Sequence, residues 1–186
     1  MLILLCDPEK VDEDGQNAIH ICAKYNSIGC SDLILNHING YKGSNGITTI
    51  LNASDSDGNL PIHIASSTGY GGFVAHLLCA CKEQNFNNEN NSGFTPFALS
   101  ILNGHKKVAG IFVFWMELLN KPLDLLISKL NPTLKKKWED EFVSSDDYNY
   151  SKQIVAKFKE NLWQPIPPKK YSIEKTNDYL SNTDIL

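Results

Sequence analysis

Histidine and cysteine side chains form the two groups in this sequence whose types and spacing could do chemistry. His20 and Cys22 could pair as an imidazole base and a thiol nucleophile, and His76, Cys79 and Cys81 could ligate zinc. Each group contains two side chains that are two positions apart on a predicted helix, so they point in different directions. No second ligand pair follows the zinc group at zinc-finger spacing. We therefore expect neither a cysteine hydrolase nor a metal site.

No other catalytic motif accompanies these residues. The sequence contains no GxSxG, no glycine-rich phosphate-binding loop and no HExxH, and we find no carboxylate pair whose spacing places both groups on one face of a cleft. We therefore expect a protein that is not an enzyme and that needs no cofactor.

The composition limits the classes of partner and the cellular compartment that we expect. All 17 basic residues are lysines, and 21 acidic residues give the 186-residue chain a net charge of -4. Without arginine, the bidentate recognition of phosphates and guanine edges is missing, so we expect no nucleic-acid partner. No apolar run is long enough for a membrane span, and the apolar N-terminus has no basic flank that would indicate a signal peptide. The five cysteines are an odd number in unrelated contexts, which favours reduced thiols in a cytoplasmic protein.

A turn motif occurs three times along the chain. An Asp or Asn stands three residues before Gly15, Gly58 and Gly93, and these glycines are 43 and 35 residues apart. Asx side chains bond to nearby backbone groups and glycine tolerates a positive φ, so each motif predicts a hairpin-like turn. Pro61 and Pro96 then stand at the first position of a predicted helix, where no N–H is needed. The sequence therefore predicts units of one turn and two helices, a period typical of a repeat protein.

Glycines predict where the first helices of two units end. Gly69 and Gly104 are predicted to end the first helix of the second and third units in the left-handed conformation, whereas Asn26 replaces this glycine in the first unit. The second helices are predicted over residues 73–81 and 108–119.

The three units resemble ankyrin repeats. DSDGNLPIHIASSTGY at 55–70 and NNSGFTPFALSILNGH at 90–105 match the family motif DxxGxTPLHxAAxxGH, and DEDGQNAIHICAKYNS at 12–27 matches it more loosely. The resemblance implies an all-α, ankyrin-type solenoid of helix-turn-helix repeats with hairpin loops, followed by a helical C-terminal extension. It gives structural roles in the repeat motif to Gly15, His20, Gly58, Pro61, His63, Gly69, Gly93, Pro96 and Gly104.

The motif histidine has an expected structural role by the same resemblance. In ankyrin repeats it looks like a bracket whose ring nitrogens bond to the loop backbone between repeats. Ala98 stands at this position in the third copy. We therefore expect the third loop to be held differently, by packing against the segment that follows.

The domain organisation follows from the repeat boundaries. We assign residues 1–10 to an N-terminal cap or the remnant of a preceding repeat, 11–119 to three repeats, 120–163 to a helical capping extension and 164–186 to a polar tail. An insertion near 38–54 predicts either a long outer loop or an extended outer helix followed by a loop, either tuned for binding or tolerated at the surface. Apolar spacing predicts extension helices over 122–130, 133–144 and 151–163.

Binding is the function that the resemblance implies. In ankyrin proteins, partners lie in the concave groove between the hairpin tips and the inner helices. Carried over position by position, the binding residues are Glu13, Asp14, Gln16, Lys24, Tyr25, Ser56, Asp57, Asn59, Ser67, Thr68, Asn91, Ser92, Phe94, Leu102 and Asn103. Tyr25, Phe94 and Leu102 are the expected hot spots, and the acidic tips indicate a protein partner with basic character.

Two other functions remain open alongside a groove-binding adaptor. The chain could be the targeting domain of a larger multidomain enzyme, or an adaptor whose PIPPKK segment at 165–170 is a ligand for an SH3-type groove. Its composition and short repeat array are also similar to ankyrin-bearing effectors of intracellular bacteria, which act in the host cytosol.

Overall fold

The computed structural model describes residues 7–81, 85–141 and 145–162, and these residues form α-helices joined by turns and loops. No β-strand and no helix able to cross a membrane occurs among them. The helices are α1 (Ala18–Lys24), α2 (Ile28–Leu51), α3 (Pro61–Thr68), α4 (Gly71–Ala80), α5 (Pro96–Leu102), α6 (Lys106–Leu118), α7 (Asp124–Ile127), α8 (Pro132–Glu141) and α9 (Ser145–Leu162).

The first six helices form three consecutive pairs that stack as a solenoid. The inner helices α1, α3 and α5 pack side by side, and each outer helix, α2, α4 or α6, packs on its own inner helix. The centre of the stack is apolar, with Ile19, Ile62 and Phe97 fully buried on the three inner helices. The predicted all-α solenoid with a helical C-terminal part is confirmed.

Several helix boundaries differ from those expected. The outer helices α4 and α6 begin at Gly71 and Lys106, two residues before the predicted starts, because the N–H groups of Val74 and Ala109 already bond to the carbonyl oxygens of Tyr70 and His105. The first helix of the extension is reduced to the four residues of α7. The last helix, α9, begins at Ser145 and not at residue 151.

The insertion of the first repeat is helical. It extends α2, whose helical course is broken only at Gly43, with a positive φ of 63° and a ψ of -157°. The segment after this break crosses closely over the segment before it at Gly46, where a Cβ atom would lie 2.7 Å from Ile38 Cγ2. The break at Gly43 therefore divides α2 into two helical segments that pack on each other, so the insertion is helical and not a long loop.

The C-terminal helices pack on two different parts of the solenoid. Helix α8 packs on the inner helix α5, with the rings of Trp138 and Phe97 5.2 Å apart. Helix α9 packs along the outer helices α4 and α6, where Val155 is fully buried and the Ser151 hydroxyl donates a hydrogen bond to the carbonyl oxygen of Lys107. The extension was expected to cap the end of the array, but α9 also joins the second repeat to the third.

Candidate functional site

The three predicted turns share one hydrogen-bonded geometry. In the second repeat, the Asp55 carboxylate accepts hydrogen bonds from the main-chain N–H groups of Asp57 (3.0 Å) and Asn59 (2.7 Å). The Gly58 N–H donates to the Asp55 carbonyl oxygen, and Gly58 has a φ of 76°. Asp12 and Asn90 make the equivalent bonds in the other two repeats. Each turn is therefore a rigid tip that leads directly into the N-terminus of an inner helix.

Main-chain hydrogen bonds join neighbouring tips. The Ser56 N–H donates to the Asp14 carbonyl oxygen (2.9 Å), and the Asn91 N–H donates to the Asp57 carbonyl oxygen (3.0 Å). The Asn90 side-chain amide also donates to the Asn59 side-chain oxygen at 2.8 Å. The tips consequently form one continuous edge of the solenoid, not three independent loops.

Buried histidines connect the inner helices to the loops of the next repeat. His20 Nδ1 accepts a hydrogen bond from the Asn17 N–H (3.2 Å), and its Nε2–H donates to the carbonyl oxygen of Asn59 (2.9 Å). His63 makes the same pair of bonds to Leu60 and Asn88. Burial lowers the pKa of His20, and it lowers the pKa of His63 to about 4. Both imidazoles are therefore neutral at pH 7 and have a structural role.

The third repeat, in which Ala98 replaces the histidine, is held by other contacts. Thr95 Oγ1 accepts a hydrogen bond from the Ala98 N–H. The loop before this repeat is tied to the C-terminal extension by an ion pair between Glu89 and Lys129 (2.7 Å). The loop that His63 bonds at Asn88 is thus also joined to the C-terminal extension.

One face of each inner helix is left uncovered by the stack. On α1, Ile19, His20, Cys22 and Ala23 are buried, whereas Ile21, Lys24 and Tyr25 are exposed at helical spacing. Tyr25 is 67% exposed, and Leu102 at the C-terminal end of α5 is 43% exposed. A surface with exposed aromatic and aliphatic side chains therefore extends from the tips along the inner helices.

The repeats align one apolar position across this surface, which we call the apolar column. It consists of Ile21, Ile64 and Leu99, one from each inner helix, separated by the same 43 and 35 positions as the turn glycines. Ile21 is 38% exposed and the other two are half-buried. These three residues are not among the binding positions predicted from the sequence. The signal that could have found them is an apolar residue at the same outward position in all three copies.

The predicted binding residues lie at two edges of this surface. The tip edge contains the exposed carboxylates of Glu13, Asp14 and Asp57. The helix-end edge, at the C-terminal ends of the inner helices, contains Lys24 on α1 and Lys137 of α8, whose ammonium donates to the Leu102 carbonyl oxygen at 3.0 Å.

The other predicted positions divide between these two edges. Gln16, Ser56, Asn59, Asn91, Ser92 and Phe94 lie in or next to the tip turns, and Ser67, Thr68 and Asn103 lie at the ends of inner helices. Phe94 is half-buried and packs against the core, so less of its ring is available to a partner than of the Tyr25 ring. The Asn103 amide is also bonded to the Ser67 carbonyl oxygen, which fixes the helix ends relative to one another.

A buried serine and histidine meet a half-exposed aspartate on the opposite side, between outer helices α2 and α4. Ser31 Oγ lies 3.0 Å from His76 Nε2, and Asp32 Oδ1 lies 3.6 Å from His76 Nδ1. Burial lowers the pKa of His76, and the nearby Asp32 carboxylate opposes this shift. Because Ser31 and His76 are almost completely buried, no substrate reaches the hydroxyl, and the group connects two repeats.

Cys22 is not arranged as a nucleophile for His20 either. Cys22 is buried next to the engaged His20, and burial raises its pKa to about 11, so the thiol is protonated at pH 7. Within the described ranges, no three His, Cys, Asp or Glu side chains are placed to hold a metal ion. The surface formed by the tips and the inner helices is therefore the feature best suited to function.

Comparison with known proteins agrees with this architecture. Residues 1–87 match a family model described as ankyrin repeats in three copies. No curated protein matches the chain. The repeat at 90–118 lies beyond the matched range, yet it has the turn, the inner helix and the outer helix of the preceding repeat.

Proposed function

We propose that this chain, which contains ankyrin repeats, binds a protein partner through the surface between the tip edge and the helix-end edge. Ankyrin repeats are generally protein–protein interaction modules. The observation that best supports the proposal is Tyr25, an aromatic ring that is 67% exposed at the end of an otherwise well-packed inner helix. Aromatic side chains on a rigid scaffold are the usual anchors of protein interfaces.

The electrostatics of the surface indicate the character of the partner. The tip edge presents three carboxylates on two neighbouring, hydrogen-bonded turns. A partner with basic residues gains on-rate and orientation from this edge, while its affinity comes from apolar contacts with Tyr25, Leu102 and the apolar column. The function is therefore that of an adaptor, and an odd number of cysteines in unrelated contexts suits a reducing compartment such as the cytoplasm.

The experiment that tests this function is affinity capture followed by a binding measurement. Proteins captured from a eukaryotic cytosol on the wild-type chain are identified, and the affinity of the purified partner is measured for Tyr25→Ala. Truncation of an anchor at the centre of an interface is expected to weaken binding by roughly tenfold or more.

Tyr41→Ala provides the matched control. Tyr41 is also half-exposed, but it lies on the outer helix α2, away from the inner-helix surface. A partner whose affinity falls for the Tyr41 variant and not for the Tyr25 variant would contradict the proposed site. The PIPPKK segment and residues 1–6 of the predicted N-terminal cap lie outside the described residues, so neither contributes to this proposal.

A further inference from the structure

The proposed binding surface consists of three parallel strips. The acidic tip edge lies at the N-terminal ends of the inner helices, the apolar column lies one turn further along, and the helix-end edge with Lys24 and Lys137 lies at their C-terminal ends. The carboxylates lie on the first two tips and the ammonium groups at the first and third helix ends, so the strips run across the axes of the inner helices. A ligand lying along the strips therefore meets carboxylates on one side, ammonium groups on the other and an apolar floor between them.

The dimensions of the strips match those of an α-helix. Packed helices are about 8–10 Å apart, so the apolar column from α1 to α5 is about 16–20 Å long. A helix of that length has about 11–13 residues, or three to four turns. Inner helices of seven or eight residues are about 10–12 Å long, which equals the diameter of a helix with its side chains.

The number of strips also distinguishes a helix from an extended peptide. An extended strand projects its side chains alternately to two opposite faces. Only one of these faces contacts the surface, so a single row of side chains would have to match the acidic, the apolar and the basic strip. A helix can present an apolar stripe with different side chains on its two flanks. Helix α8 packs against α5 and forms the end of the surface, which limits the length of such a helix.

We infer that the partner segment is an amphipathic α-helix of three to four turns, with basic residues on one flank of its apolar stripe and acidic residues on the other. This inference rests on the proposed function and specifies the ligand of the same surface. Reversing the direction of the helix exchanges its two flanks, so a helix with oppositely charged flanks fits the surface in one of its two directions. The surface therefore selects opposite charges on the two flanks, whichever flank is the basic one.

A display experiment with defined probes tests the inference. Three libraries share one alanine-rich 14-residue helix with randomised apolar-stripe positions, and their flanks are fixed as lysine and glutamate, as lysine on both sides, or as glutamate on both sides. Selection on the full chain is expected to enrich the mixed library by at least tenfold over either of the others. Enrichment of a single-charge library, or no helix binder from any library, would overturn the inference.

Reversal of the charge on the tip edge gives a second, independent test of the inference. The variant Asp14→Lys with Asp57→Lys places two ammonium groups beside the remaining carboxylate of Glu13, so it is expected to shift its preference towards the glutamate-flanked helices. Both residues are exposed, and the bonds that join the tips are made by their main-chain oxygens, so the fold is preserved. An unchanged preference for the mixed flanks would overturn the inference even if the wild-type selection had succeeded.

The same helices separate this inference from the proposed function. Binders that tolerate Tyr25→Ala and Leu102→Ala use another surface and contradict the proposed site. Binders that are lost in these variants but have flanks of one charge contradict only the inferred ligand.

Discussion

The imidazole of His63 bonds to Asn88 across the boundary between the second and third repeats, with 3.0 Å between Nε2 and the carbonyl oxygen. On the other side of the same ring, Nδ1 accepts a hydrogen bond from the N–H of Leu60. An N–H facing Nδ1 and a carbonyl facing Nε2 require the neutral tautomer with its proton on Nε2. One side chain therefore closes the start of α3 and fixes the next loop at the same time.

Replacement of this ring is expected to destabilise the fold. In His63→Ala the main-chain groups of Leu60 and Asn88 lose their partner, and a fully buried volume is left empty. The free energy of unfolding, measured by urea titration, is expected to fall by about 2–4 kcal/mol. His37→Ala is the control, because His37 is half-exposed on α2 and its ring lies at a tilt against the surface ring of Tyr41. Equal losses of unfolding free energy in the two variants would show that the hydrogen bonds of His63 stabilise the fold no more than a surface histidine does.

The stability of the wild-type chain is expected to fall as the pH is lowered from neutrality. Burial lowers the pKa of His63 to about 4 and also lowers the pKa values of His20 and His76. The unfolded chain, with histidine pKa values near 6.5, therefore binds more protons than the native state below that pH. The contribution is fully present above pH 6.5 and is lost as the pH falls towards 4.

This pH dependence can be assigned to His63 by substitution. The single histidine accounts for about 2 kcal/mol of lost stability between pH 7.5 and pH 5. Urea titrations at the two pH values are expected to show a smaller difference for His63→Gln, which does not titrate. A difference as large in His63→Gln as in the wild type would assign the effect to other groups.

The first inner helix ends at a non-glycine residue in the left-handed region, and a glycine there is expected to stabilise the protein. Asn26 has a φ of 54°, whereas Gly69 and Gly104 have this role in the other repeats. Asn26→Gly is expected to raise the free energy of unfolding by up to about 1 kcal/mol, since glycine has no Cβ penalty at positive φ. The reciprocal change Gly69→Asn is expected to cost about 1–3 kcal/mol, because its Cβ would lie 2.6 Å from His105 Nδ1. Thermal unfolding of the two variants checks the direction of both stability changes. A Gly69→Asn variant more stable than the wild type would contradict this explanation.

Local chemistry explains why the repeat core could be predicted. The Asx–glycine turns are made by bonds within five residues, and Pro61 and Pro96 begin their helices at the expected positions. These features depend on neighbouring residues, so the sequence pattern contains them.

Most of the features that the sequence did not predict depend on distant contacts. The close crossing at Gly46 requires α2 to fold back at Gly43. The apolar column is different, because its signal is in the sequence and shows once the three copies are aligned. The placement of α9 was also missed. Its apolar spacing indicates a buried face, but nothing local indicates that this face lies on two outer helices.

Helix α9 is expected to stabilise the second and third repeats together, and a pair of adjacent residues tests this. Val155 is fully buried against the solenoid, whereas Ala156 is exposed. Val155→Asn places an amide in this apolar contact and is expected to cost about 2–4 kcal/mol. Ala156→Asn introduces the same side chain into the same helix on the solvent side and is expected to cost less than about 1 kcal/mol.

Hydrogen exchange is expected to show faster exchange in both α4 and α6 for Val155→Asn only, because α9 contacts both helices. Faster exchange confined to α9 itself would show that the helix follows the repeats without stabilising them.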